Sequence, residues 1–466
     1  MRRSGPIGRG LRRCTAVLLA LAMTVMLAAC AGNPKDDAPA KESTTTVSPV
    51  PTEKQENAVP TPGTDEREQK ENGKTPDDNG QGSGVTEKLT AGSNAAPEKK
   101  AMDETMREAY ANFSYRLFKA CAQGESGNCV ISPFSVYTAL AMLANGAKGN
   151  TATQMDSVLG LTPETRNRYL AGWISSLTGQ KDVSFTCADS VWISKLFRTA
   201  VPDPFLATCA DYYMAEVYAA EMNDGTVDDV NAWVNKNTKG MIEKIIDKGD
   251  LAPDTSVILM NAITLDAAWE IPFLQENTLT AADFTKEDGT TAKVDLLRGE
   301  ADRCYLENDT FIGCTKSYKG GKYRFVALLP KEGITLDAAV AALDGKTVDG
   351  LFAGAAADEV NLLIPKINDA YGKDLCDVLS ELGMPDAFGA TADFTGLITT
   401  GESYVDSVVH KTFLSLDNQG TRAAAVTYIS VRTLSISRLH TIRLDRPFIY
   451  MIVDENNLPV FIGTFQ

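Results

Sequence analysis

Histidine is almost missing from this chain: its 466 residues contain two, His410 and His440. A structural zinc site or a hydrolytic triad therefore has little to build with, since both chemistries lean on imidazole. The strained Gly-x-Ser-x-Gly turn that presents a nucleophilic serine in many hydrolases is missing as well. Nine cysteines are present without one Cys-x-x-Cys spacing, and no stretch repeats internally. No basic stripe offsets the net charge of −16, which argues against nucleic acid as a partner and mainly confers solubility. His410 follows the apolar pair Val408-Val409, the setting of a hydrogen-bonded core histidine rather than of a catalytic base. The chain is thus expected to be no enzyme and to need no cofactor and no metal.

The amino-terminal hundred residues have few large apolar side chains outside one short block. Met1 to Arg13 carries Arg2, Arg3, Arg9, Arg12 and Arg13, and Thr15 to Leu27 is an apolar run too short to cross a bilayer comfortably as a permanent helix. Residues 1–29 therefore read as a secretory signal. It ends in Leu27-Ala28-Ala29-Cys30, which resembles the bacterial lipobox, in which the cysteine receives a thioether lipid and, in such lipoproteins, palmitate. Cys30 is the expected lipidation site, and the expected location is the outer face of a bacterial cell membrane. From Ala31 to about Lys100 no aromatic residue occurs, and Pro, Thr, Ser, Glu, Lys, Asp and Gly predominate. Residues 30–100 are expected to be a disordered tether, spanning roughly 45 to 50 Å as a flexible coil.

Residues 101–466 are long enough for one large core and contain no second linker, so one domain is expected. Apolar residues at Met106, Tyr110, Phe113, Leu117 and Cys121 predict an amphipathic helix over Met102 to Ala122. Asn128 to Ile131 predicts a short strand, Pro133 a break, and Val136 to Ala147 a second helix; a third is expected over Thr151 to Leu161 with Thr151 as its cap. Phe325 to Leu329 and Phe448 to Val453 predict buried strands. Cys304 and Cys314 flank a predicted hairpin and either pair across it or remain buried thiols. The remaining puzzle is Gly420-Thr421-Arg422-Ala423-Ala424-Ala425-Val426-Thr427. Its small residues suit an Ala-rich helix and a strand that slips between other strands equally well.

Several strings resolve that ambiguity. Asn128-Cys129-Val130-Ile131-Ser132-Pro133-Phe134-Ser135, followed by a helix ending in Gly146-Ala147-Lys148-Gly149 and then Thr151, resembles the serpin family of protease inhibitors. In the family's order follow Val230-Asn231-Ala232-Trp233 to Ile242, Leu259-Met260-Asn261-Ala262-Ile263, Trp269, Pro272-Phe273, Tyr323 to Pro330, Leu382-Gly383-Met384, Ala392-Asp393-Phe394, His410-Lys411, Arg446-Pro447-Phe448 and Phe461-Ile462-Gly463. The resemblance covers essentially all of 101–466. It implies an α+β fold with several helices around three β-sheets and an exposed reactive loop, the largest sheet being able to accept one more central strand. It also implies a sheet-opening cluster of Ser132, Ser135, Asn261, His410 and Trp269, the first four gathered beneath that sheet to hold it shut and Trp269 near the loop's upper anchor.

By the same resemblance the expected function is suicide inhibition. A protease attacks the loop, forms its own acyl-enzyme ester, and is carried across the molecule as the cleaved loop inserts. Gly420 to Thr427 would be the hinge. With period two, Thr421, Ala423, Ala425 and Thr427 share one small face, while Arg422, Ala424 and Val426 share the other. Inhibitory members usually carry Glu where Asn418, Gln419 and Arg422 stand, and the lost acid at Asn418 puts in doubt a salt bridge at the upper anchor. Hinge length sets the reactive bond at Leu434-Ser435, implying an extracellular serine protease of chymotrypsin, elastase or subtilisin type; Arg432-Thr433 would imply a trypsin-like target. The protein is expected to be a monomer that meets the membrane only through its lipid. A non-inhibitory binding or scaffold protein on the same fold is the alternative.

Overall fold

The computed structural model describes residues 86–90, 96–178, 180–400, 404–421 and 438–466. Seventeen strands and nine α-helices occur among them, in three sheets. The main sheet runs β1 (Thr86–Lys88), β4 (Glu216–Ala220), β3 (Val183–Ser194), β5 (Val257–Ala268), β14 (Gly420–Thr421), β13 (Val405–Leu416) and β12 (Ile367–Asp374). A second contains β2 (Val130–Ile131), β17 (Pro459–Phe465), β16 (Phe448–Val453), β10 (Arg324–Pro330), β9 (Phe311–Ser317) and β8 (Tyr305–Glu307). The third orders β15 (Leu439–Arg443), β11 (Glu359–Pro365), β7 (Thr291–Glu300) and β6 (Leu279–Thr285). The helices are α1 (Glu104–Ala122), α2 (Pro133–Ala144), α3 (Gly149–Leu159), α4 (Pro163–Leu177), α5 (Asp203–Tyr213), α6 (Asp224–Asn237), α7 (Leu336–Ala342), α8 (Gly345–Ala353) and α9 (Cys376–Leu382). This is the α+β arrangement that the resemblance implied.

The main sheet is covered on both faces. Val191, Ile193, Leu259 and Ile263 point into the large core that also holds α1 and α2, whereas Trp192, Ile258, Met260 and Ala262 meet Val230, Trp233 and Val234 of α6 on the other face. Burial from both sides explains why β5 is a nearly continuous apolar run rather than an alternating one. The second sheet is equally dry: every residue of β16 is buried.

Local chemistry adjusts two expectations and decides between the alternatives of a third. Pro133 does not break the chain before a later helix; it occupies the first turn of α2, where its missing N–H costs nothing, and the Ser132 hydroxyl caps that turn by accepting from Ser135 N–H at 3.2 Å. Thr151 is not a cap. α3 already starts at Gly149, and the buried Thr151 hydroxyl accepts from the Asp393 N–H at 2.9 Å. Cys304 and Cys314 flank the β8–β9 hairpin as free thiols, as are all seven cysteines of the described domain.

Ordered pairing also begins before the expected boundary at residue 101. Thr86–Lys88 is a strand antiparallel to β4, Glu87 pairs with Arg198, Lys88 pairs with Glu216, and Leu89 N–H reaches Val217 O at 2.7 Å. Lys100 N–H donates to Arg168 O at 3.0 Å. Composition missed this because adding an edge strand requires backbone groups, not apolar side chains. Residues 1–85, including Cys30, lie outside the described residues.

Candidate functional site: the central seam of the main sheet

Strands β5 and β13 are neighbours in the main sheet, joined in parallel from Val257–Val405 to Asn261–His410, and no pairing continues above that row. At the upper end β14 lies between them instead, with Gly420 opposite Ala268, and Thr421 opposite both Ala267 and Leu416. The chain reverses after Leu416 through Asp417–Gln419: Asp417 Oδ1 accepts from Gln419 N–H at 2.8 Å, and Asp417 N–H donates to Gly420 O at 2.9 Å. Only glycine fits at 420. Its φ is +154°, and a Cβ there would collide with the carbonyl oxygen of Ala267. Thr421 is buried and points into the large core, sharing a 2.7 Å hydrogen bond with the Tyr318 hydroxyl. Leu434, Ser435 and the rest of the hinge (Arg422, Ala423, Ala424, Ala425, Val426, Thr427) lie outside the described residues.

An aromatic block holds the loop's upper anchor. The Trp269 backbone N–H donates to Gln419 O at 2.8 Å, its indole donates to Asp417 O at 3.0 Å, and its ring stacks on Tyr318 at 4.3 Å. The absent acid at 418 is not replaced. Asn418 turns its amide to the Thr278 hydroxyl at 3.2 Å, while the buried Lys316 ammonium donates to Glu300 O at 2.7 Å and lies 4.4 Å from the Phe273 ring. Burial of that cation in a mostly apolar setting pulls its pKa down to about 8. Trp269 therefore belongs to this anchor and not to the cluster below: it stands eight residues beyond Asn261, just past the end of the same strand, about 26 Å away at strand rise.

At the row where pairing stops, Ser132, Ser135, Asn261 and His410 do gather, chiefly through backbone atoms. Ser132 N–H donates to His410 Nε2 at 3.1 Å, the Ser132 hydroxyl donates to Val460 O at 2.7 Å, and Asn261 Nδ2 donates to Ser135 O at 3.1 Å. Burial lowers the His410 pKa to about 4, so the ring is neutral and its Nε2 is an acceptor at ordinary pH. The Ser135 hydroxyl and Asn261 Oδ1 have no partner among the described residues.

A fifth member was not anticipated from the sequence. Asp189 of β3 is the cross-strand neighbour of Asn261, is 2 % exposed, and accepts from Asn261 Nδ2. Burial raises its pKa to about 7. The signal was legible: Cys187, Asp189, Val191 and Ile193 share one strand parity, so an acid stands among residues facing the core.

These features define a protein whose largest sheet holds the two-residue strand Gly420–Thr421 between β5 and β13 at its centre. A sequence model of the family "Serpin (serine protease inhibitor)" matches residues 108–466, and the chain belongs to that family. It is similar to the thermophilic serpin tengpin in its native state, with 35% identity and a TM-score of 0.76 over 82% of this chain and 99% of that one. An uncharacterized serpin-like protein of Thermococcus kodakarensis is 28% identical over 78% of this chain and 86% of its own length. Thyroxine-binding globulin of Ovis aries is 29% identical over 79% of this chain and 91% of its own. The family holds inhibitors and binding proteins, and no catalytic family is indicated.

Proposed function

We propose that this serpin inhibits an extracellular serine protease as a suicide substrate. The observation that carries the reading is the seating of Gly420 and Thr421 between β5 and β13, with Thr421 directed into the core. Stepping the two observed registers downward, after cleavage, sets Ala423 and Ala425 beneath the sheet and Thr427 opposite both Asn261 and His410. Every inward position would then be small, and the Thr427 hydroxyl would meet a row that has an unpartnered Asn261 oxygen. Arg422 would face outward, where its charge stays hydrated.

The bond attacked is Leu434-Ser435. An apolar Leu434 suits chymotrypsin-, elastase- or subtilisin-like proteases. The protease's serine ester with Leu434 forms as the Leu434-Ser435 amide breaks, and insertion carries the ester away before water completes hydrolysis. We further assign a lipid anchor at Cys30 and a monomeric state.

The test is incubation of the purified domain with chymotrypsin and with pancreatic elastase. An adduct that survives boiling in SDS, with a new amino terminus at Ser435, is the expected result. Quantitative loop cleavage without adduct would overturn inhibition and favour the second reading, a binding protein, which relatives named for thyroxine and corticosteroid binding support.

A further inference from the structure

The row in which the seam closes crosses four strands: Asp189 on β3, Asn261 on β5, His410 on β13 and Lys373 on β12 are successive cross-strand neighbours. It is also the opening front, since β5 and β13 are paired up to it and not beyond. Asn261 is the hinge of that row. Its one amide nitrogen reaches Asp189 and Ser135 O, while among the described residues its oxygen and the Ser135 hydroxyl find no donor or acceptor. We propose that Asp189 is a proton switch for separation of the main sheet: its charged form loosens the β5–β13 seam and its protonated form closes it.

The physical basis is desolvation. The groups that touch the carboxyl are Asn261 of β5, Thr138 of α2 and Cys187 of β3. The other titratable groups around it are Cys209 of α5 and His410 of β13. None brings a compensating charge: both thiols are pushed up by burial, and the imidazole is pushed down. A carboxylate there lacks the water it needs, so any state that admits water to the unpartnered Ser135 and Asn261 atoms is favoured once Asp189 is charged. The charge-assisted bond from Asn261 opposes this, but burial outweighs it, because the carboxyl remains near 7 rather than below its ordinary value. Opening the seam draws the pKa back down. Opening should therefore grow as pH rises towards 7 and level off above it. The inference rests on the reading that the seam opens, but it requires no protease.

Hydrogen exchange of the full chain, followed by mass spectrometry between pH 5.5 and 8.5 and corrected for intrinsic exchange, tests it. Protection of β5 and β13 amides should fall about tenfold across the range, the factor for one unit of relieved pKa. Amides of β16 should not change. Asp189→Asn, which keeps the shape without the titration, should abolish the slope; Asp189→Ser serves if the amide disturbs folding. A flat wild-type profile, or an equal slope in the variants, would overturn the switch. An SDS-stable adduct in the presence of a flat profile would sink this inference and leave inhibition standing, whereas a sloping profile without adduct would do the reverse.

Discussion

At the scale of single residues, the chemistry of this protein is concentrated in groups that its burial discharges. His410 is buried neutral, so unfolding lets it take up a proton wherever the pH lies between about 4 and its ordinary 6.5. Its contribution is fully present above 6.5 and is lost as pH falls through that window, amounting to about 3 kcal/mol at the acid end. Asp189 acts with the opposite sign, stabilising below its ordinary carboxyl range and losing that contribution as pH rises towards 7. The two must be separated by difference. Comparing urea midpoints of wild type and His410→Gln from pH 7 to pH 4 should show the variant losing less stability on acidification; parallel curves would contradict a buried neutral imidazole. The role of His410 was readable from its apolar neighbours. The strand parity of Asp189 was readable too, but an acid within a strand is usually a solvated one, and only the covering by α2 makes the difference.

At the scale of elements, patterning captured helices and buried strands well and their ends less well. α1 begins two residues after the expected Met102 because Asp103 caps it, accepting from Met106 N–H at 3.2 Å. The hinge could not be assigned from its own composition, since alanine serves a helix as readily as a tight inner strand. Its assignment comes from neighbours: β14 has one partner on each side, and the glycine at 420 is demanded by a carbonyl, not by a turn. The edge strand β1 was beyond the reach of any burial argument. Its removal has a direct readout. A chain starting at Ala96 should lose exchange protection at Glu216–Ala220 and self-associate more by light scattering, because an uncovered strand edge is a template for another chain. Unaltered protection in β4 would rule out the pairing of Thr86–Lys88 in solution.

For the whole molecule, the order of strings along the sequence was sufficient for the family and its three sheets, since those strings mark where strands meet helices. What they could not convey is the present degree of opening, which depends on contacts between segments distant in the chain, such as Trp269 with Gln419 and Tyr318 with Thr421. The proposed inhibition places one strict demand on the whole. Ala423→Arg forces a charge beneath the sheet and should convert an inhibitor into a substrate, lowering the fraction of protease trapped per loop cleaved by tenfold or more, roughly the effect of 1.4 kcal/mol on competing rates. Undiminished trapping would refute the assigned inward face.

The pairing directions around the seam carry a further consequence. β5 and β13 run parallel to one another, yet β14 is antiparallel to both. Below the row of Asn261 and His410, advancing the loop by one rung would delete one slanted junction and write two perpendicular ones, which are the slightly stronger kind. Such a process is an exchange like strand displacement in a duplex, in which the invader occupies each site as the incumbent leaves it. Below that row no wide gap has to exist at any instant. The front already stands at Asn261 and His410, and only the five residues from Val257 to Asn261 remain zipped to β13 below it.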